Sequence, residues 1–287
     1  MKKILFAVSA ALCWFSVSAQ YNSLVWKITG NGLQQPSYLY GTMHTTDKRI
    51  VKMSDNSLKY FNQAQAYAME LDPKESFNMG LISKLMMGKG HSLRAMIPEK
   101  EYAILDSMVK AEVGFSLKLF DNVAPVFIMT ILQASEISTG DTANEGTEVL
   151  DLYFHRLAKE GKKKVIGIET VDEQIDALNA LTYEEQAEML VRELRDYRDN
   201  KNAMTDLVRY YLEQNLDSIA VLNDKDPMPE KFYKALITDR NRRMANRIAD
   251  FTQKQSTFIA VGALHLPGEK GVIELLRKKG FTVEAAK

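Results

Sequence analysis

The chain is nearly without cysteine, has no surplus of basic charge and carries no long apolar run beyond its first twenty residues. Each absence excludes something. The single cysteine, Cys13, lies inside an N-terminal apolar stretch, so the rest of the chain can form no disulfide and offers no thiol nucleophile. Basic and acidic residues balance at 37 each, which gives neither nucleic acid nor an anionic membrane a reason to bind. The most apolar later stretch, Val123 to Leu132, is short and contains Pro125, and reads as a buried helix rather than a membrane span. Several catalytic signatures are missing too. Gly88-Lys89 has neither the upstream glycine nor the following Ser or Thr of a P-loop, and no G-x-S-x-G, H-E-x-x-H, EF-hand loop or G-x-G-x-x-G is present.

What is present begins with an export signal. Lys2 and Lys3 precede the apolar run Ile4 to Phe15, and Ser16-Val17-Ser18-Ala19 supplies the small residues of a cleavage site. The expectation is a cleaved signal peptide over 1–19, leaving a mature chain of 20–287 that is periplasmic or secreted, with no transmembrane anchor. Without disulfides it must rely on its core, and 46% hydrophobic residues suffice for that.

The mature chain reads as α/β. Leu24 to Ile28 and Ser37 to Tyr40 alternate as strands around the turn Gly30-Asn31-Gly32, which predicts an antiparallel pair. A helix over Asp55 to Gln65 leads to a strand at Ala66 to Leu71. From about 75 to 160 the pattern is helical, with a loop at Gly88 to His91 and a last helix over Asn144 to Glu160. A strand at Lys164 to Glu169 comes next, then helices at Tyr183 to Arg198, Met204 to Leu222 and Glu230 to Phe251. The chain closes with a strand at Thr257 to Gly262, a helix at Gly271 to Lys279 and a strand at Phe281 to Val283. Strands early and late predict one domain: a mixed central sheet built from both ends of the chain, with a large helical insertion between them.

The chemistry lies at the ends of the strands. Tyr38-Leu39-Tyr40 runs into Gly41-Thr42-Met43-His44, and Ile259-Ala260-Val261 runs into Gly262-Ala263-Leu264-His265. Two of only four histidines therefore end the same strand, G-x-x-H pattern at opposite ends of the chain. A third strand ends in Glu70 and a fourth in Glu169. Imidazole and carboxylate are the donors a catalytic divalent ion takes, and strand ends hold them rigidly beside loops that admit substrate. Either glutamate could instead be a buried member of an ion pair. Arg240, on an amphipathic helix, can pair with Glu70 or Glu169, hold a substrate carboxylate or oxyanion, or belong with Arg242 and Arg243 to a solvated face. His91 reads as an exposed loop residue and His155 as a helix residue without a ligand role.

These motifs together resemble the TraB/GumN family: the paired G-x-x-H, Ala68-Met69-Glu70-Leu71-Asp72, Ile166-Gly167-Ile168-Glu169-Thr170, Asp239-Arg240-Asn241 with Met244-Ala245, and Gly262 to Gly271. Asp239 stands where the family pattern has Glu, which keeps the acid. The family includes the TraB and PrgY pheromone-shutdown proteins and is similar to the Tiki metalloproteases, which trim amino-terminal residues from a secreted signal. The resemblance implies an α/β core whose related halves each supply a strand-end His and Glu. It also implies metal and catalytic positions at His44, Glu70 and His265, with Glu169 as ligand or general base and Arg240 as a further catalytic position. The expectation is a metal-dependent, peptidase-like hydrolase using manganese, zinc or cobalt on a peptide or small-molecule substrate. Its rivals are a protein that sequesters such a ligand without chemistry, and a heme- or metal-handling protein.

Overall fold

A computed structural model describes residues 21–45, 47–74, 83–138, 149–195, 197–225 and 227–286. The expected signal peptide therefore lies outside the described residues, as do 75–82 and 139–148 of the helical insertion.

Among the described residues, six strands form one mixed sheet: β1 (Val25–Gly30), β2 (Ser37–Thr42), β3 (Ala66–Met69), β4 (Lys164–Gly167), β5 (Thr257–Gly262) and β6 (Phe281–Ala285), in the order β4-β3-β5-β2-β1-β6. The turn between β1 and β2 runs through left-handed backbone at Gly30, Asn31 and Gly32, and it pairs Val25 with Tyr40 antiparallel. β6 adds antiparallel to β1, so the two ends of the chain meet in one sheet. The other four strands, β2, β5, β3 and β4, run parallel.

That parallel block decides where the site can be. β2 is buried at all six positions and β5 at its first five, as strands covered on both faces must be. Tyr40, Tyr67 and Phe258 of the sheet meet Phe61 and Phe154 from helices Leu58–Gln63 and Leu150–Glu160, with ring centroids 5.0–6.3 Å apart. Met244, Ala245 and Ile248 of helix Arg240–Thr252 and Val272, Ile273 and Leu276 of helix Val272–Lys278 complete this core. A second apolar cluster, including Leu93, Leu105, Ile128, Leu190 and Phe232, holds the helical insertion together and extends into helices beyond it. Parallel strands all end on one edge of the sheet, and His44, Glu70, Glu169 and His265 each lie within three residues of the end of one of them.

Several helices differ from the sequence reading, and one, Val171–Leu178, is absent from it altogether. A helix at Lys48–Ser54, capped by the Asp47 side chain, precedes the expected one, and a 3-10 turn at Asp55–Ser57 joins it to Leu58–Gln63. The single helix expected over Met204 to Leu222 is two, Tyr197–Leu212 and Leu216–Lys225. Gln214 takes a left-handed conformation between them, and the Asn215 side chain accepts from the Ser218 N–H to start the second. Lastly, Lys234–Asp239 forms a π-helical segment immediately before Arg240.

Candidate functional site

The backbone ladder between β3 and β4 continues past the strands, with the Ile168 N–H donating to Met69 O and the Glu169 N–H to Glu70 O, both at 2.8 Å. This sets the two glutamates side by side. Arg240 lies across them. Its Nη2 donates to Glu70 Oε2 at 2.6 Å and to Glu169 Oε2 at 2.7 Å, while its Nε donates to Glu169 Oε2 at 2.9 Å. Gln174 Nε2 bridges the same pair of oxygens, and Arg243 Nη2 stands 3.5 Å from Glu169 Oε1. The Glu169 side chain is fully buried, and both its oxygens face guanidinium groups. Of the roles open to Arg240, pairing with both carboxylates is the one the structure shows; its side chain is only 11% exposed. The two carboxylates outweigh the cost of burial and hold the guanidinium above its ordinary pKa.

Glu70 is divided between two neighbourhoods. Oε2 belongs to Arg240 and Gln174, whereas Oε1 accepts from the Gly262 N–H at 2.8 Å and faces His265 Nε2 at 3.8 Å. Burial works against its charged form, but His265, Arg240, His44 and the Gly262 N–H together hold its pKa down to about 2. Burial also dominates at His265, pushing its imidazole down to about 4, with Arg240 acting the same way and Glu70 opposing. At neutral pH the imidazole is therefore neutral, and the Arg240 guanidinium keeps Glu70 ionised.

The tautomer of His265 is set by its other nitrogen. Asn241 Nδ2 donates to Lys270 O at 2.9 Å, which leaves Asn241 Oδ1 as the acceptor facing His265 Nδ1 at 2.6 Å. Nδ1 must carry the proton, so Nε2 presents a bare lone pair to Glu70 Oε1. The loop that supplies Lys270 tolerates no side chain at its end. A Cβ on Gly271 would stand 2.2 Å from Pro267 O and 2.3 Å from Leu266 O. Gly271→Ala is expected to cost about 1–3 kcal/mol, read as a lowered urea midpoint; an unchanged midpoint would show that this loop can relax.

The two G-x-x-H segments also touch. β2 and β5 are neighbours, and a Cβ on Gly41 would lie 2.9 Å from Leu266 Cδ1 and 3.2 Å from Ala263 Cα. His44 stands on the open side, with its side chain 63% exposed, and Nδ1 is 3.5 Å from Asp151 Oδ2. Asp151, in the first turn of helix Leu150–Glu160, is buried, and its Oδ1 accepts from Thr42 Oγ1 at 3.3 Å. Burial raises its pKa, with His44 pulling the other way. Sequence reasoning missed Asp151, because an acid in the first turn of a helix reads as a partner for the helix dipole. It also saw Asn241 only as part of a motif, and Gln174 not at all.

The other two histidines lie elsewhere. His91 is exposed in its loop, packed edge-on against Tyr183 at 5.1 Å, and His155 is half-buried on its helix. Among the described residues, no three His, Cys, Asp or Glu side chains are spaced to hold a metal ion as they stand. The donors nonetheless suit one: a neutral imidazole with Nε2 bare, an ionised carboxylate oxygen facing it, and beside His44 a buried Asp151 Oδ2 with no hydrogen bond. No helix among the described residues is long and apolar enough to cross a membrane.

Several known proteins are similar to this chain in sequence. Metalloprotease TIKI2 of Danio rerio is 26% identical over 316 aligned residues, covering 92% of this chain and 61% of that protein. Metalloprotease TIKI1 of Homo sapiens is 25% identical, covering 93% and 63% respectively. Protein YbaP of Shigella flexneri is 25% identical over 245 residues, covering 84% and 88%. The chain thus spans about six-tenths of the length of the animal metalloproteases it matches. No solved structure matches it. Residues 24–285 match the TraB/PrgY/gumN family, which takes in all six strands and every residue of the site, and the chain belongs to that family.

Proposed function

We propose that this protein is an exported metal-dependent hydrolase acting on a peptide bond, with His44, Glu70 and His265 as the residues that hold a divalent ion. The observation that carries the reading is the pair His265 Nε2 and Glu70 Oε1, two electron-pair donors 3.8 Å apart with no proton to share between them. Donors facing each other in this way favour a cation. The names of the animal relatives agree with it.

Each side chain then has a distinct task. Asn241 presents His265 as a ligand by keeping the proton on Nδ1. Arg240 keeps Glu70 ionised and fixes its orientation through Oε2, leaving Oε1 for the ion. A carboxylate with a pKa of about 2 is a poor proton acceptor at neutral pH and suits ligation better than general-base work. Glu169, with both oxygens facing arginines, anchors Arg240 in place of acting as ligand or base. A bound ion would polarise a substrate carbonyl and bring its own water to a pKa of about 7. The exposed side of His44 is where a substrate can enter.

The test is ion content of the chain from Gln20 onward after equilibration with manganese, zinc and cobalt. Wild type is expected to retain about one ion, and His44→Ala and His265→Ala to lose it, with an affinity loss of at least ~100-fold. Wild type that retains none of the three ions refutes the reading. Turnover of peptides that a chelator abolishes supports hydrolysis; stoichiometric binding without turnover would point to a sequestering protein.

A further inference from the structure

The two histidines are held in different ways, and the difference exposes a residue that the proposed function leaves unused. His265 is 7% exposed and locked by packing and by Asn241. His44 is 63% exposed, so packing alone cannot fix its ring. A ligand histidine needs a partner on its second nitrogen to set both tautomer and orientation. Among the described residues, the side-chain oxygen that faces His44 Nδ1 belongs to Asp151, at 3.5 Å.

One oxygen of the Asp151 carboxylate has no hydrogen-bond partner among the described residues. The residue sits in the first turn of its helix, yet the helix N-terminus takes no side-chain cap. Its carboxylate is buried, and Oδ2 makes no hydrogen bond. Burying a carboxylate oxygen in that state costs stability. The rest of the residue is firmly placed: Oδ1 takes the Thr42 hydroxyl, and the Tyr67 hydroxyl donates to the Asp151 carbonyl at 3.0 Å. Thr42 is two residues before His44 on the same strand end, so carboxylate and imidazole are presented by one rigid unit. The unbonded oxygen faces His44, the exposed member of the histidine pair.

We propose that Asp151 is the positioning residue of His44: its Oδ2 accepts the Nδ1 proton and turns Nε2 toward Glu70, as Asn241 does for His265. The two G-x-x-H histidines are then a matched pair, one oriented by a carboxamide and the other by a carboxylate. At 3.5 Å the contact is longer than a hydrogen bond, and a small rotation of the exposed ring closes it. The carboxylate partner makes His44 the more electron-rich of the two donors. This inference rests on the reading that both histidines serve one ion, but its first test does not need the ion.

The tautomer of His44 can be read in the metal-free protein by nitrogen-15 NMR above about pH 8, where an ordinary imidazole is neutral. With four histidines in the whole sequence, the His44→Ala spectrum identifies the resonance. The expected result is a proton on Nδ1 in wild type that shifts toward Nε2 in Asp151→Ala, which removes the acceptor; a carboxamide there could still accept, as Asn241 does. The second test is manganese, zinc and cobalt affinity of Asp151→Ala, expected to fall about 10–100-fold while the melting temperature stays level or rises, since the unbonded buried oxygen is gone. That opposition of signs separates positioning from a merely structural role, which would lower both together. A wild-type His44 protonated on Nε2 overturns the inference whether or not an ion binds. So does Asp151→Ala that loses ion binding outright with the tautomer unchanged, since Asp151 would then be a ligand itself. Wild type that binds no ion but shows the Nδ1–H form sinks the metal reading alone and leaves the orientation of His44 by Asp151 standing.

Discussion

Arg240→Met is expected to lower the unfolding free energy by about 3–5 kcal/mol, the largest effect of any single substitution at the site. The reason is what it leaves behind. Glu70 and Glu169 lie side by side at the end of β3 and beyond β4, with side chains 13% and 0% exposed, and Arg240 donates to both. Without the guanidinium, Arg243 still stands 3.5 Å from Glu169 Oε1, so Glu70 loses the larger share of its compensating charge. Its pKa, now held to about 2, is expected to climb as the buried pair becomes too costly to keep doubly ionised. Arg240→Lys restores charge but not the fork: a single ammonium cannot repeat the Nε and Nη2 contacts that span two carboxylates. It is expected to fall between wild type and Arg240→Met. Thermal melting is the direct check, with a drop on the order of 10 °C for a domain of this size. Adding Glu169→Gln to Arg240→Met should recover part of the loss, because it removes one of the two stranded charges. A melting point within about 2 °C of wild type for Arg240→Met would mean that water, not Arg240, satisfies the pair.

How much of the site is legible in the sequence depends on distance along the chain. The strand ends are readable because they are local: alternation, a glycine, and a histidine or glutamate within a few residues. The two G-x-x-H segments therefore stand out, and β2 and β5 do lie side by side. Pairing Arg240 with Glu70 is one option among several, since nothing local distinguishes Arg240 from Arg242, whose side chain is 72% exposed two residues later. The π-helical turn before Arg240 changes which face the following helix presents, and no residue pattern announces it. Asp151 and Asn241 are harder still. Asp151 meets Thr42 across 109 positions, and Asn241 meets His265 across 24, so each acquires its meaning only when the sheet brings remote segments to one edge. The break at Gln214 escapes a sequence reading for the opposite reason: the apolar face continues across it, and only the capping Asn215 marks the new start.

Acid is expected to destabilise the metal-free protein well before ordinary carboxylates titrate, and His265 is the cause. Its folded-state pKa is depressed to about 4 from an ordinary value of 6.5. Between those values the unfolded chain takes up a proton that the folded chain refuses, so stability is complete above pH 6.5 and falls as pH drops toward 4. The gap is worth roughly 3 kcal/mol. Glu70 adds a second window of the same sign. Its carboxyl is held at about 2 against an ordinary 4.5, so its contribution is intact above 4.5 and disappears as pH falls toward 2. Urea unfolding in the presence of a chelator at about pH 7.5, 6 and 4.5 separates the two, because only the histidine titrates across most of that range. Wild type should lose most of the histidine's contribution between the first and last, whereas His265→Gln should be nearly flat there and fall only at lower pH. A wild-type curve that is itself flat would show that His265 titrates normally, and a variant that falls in parallel would place the acid sensitivity elsewhere. The slope also bears on chemistry: a histidine that stays neutral to about pH 5 keeps the Nε2 lone pair facing Glu70 available across the range in which an ordinary imidazole would have lost it to a proton.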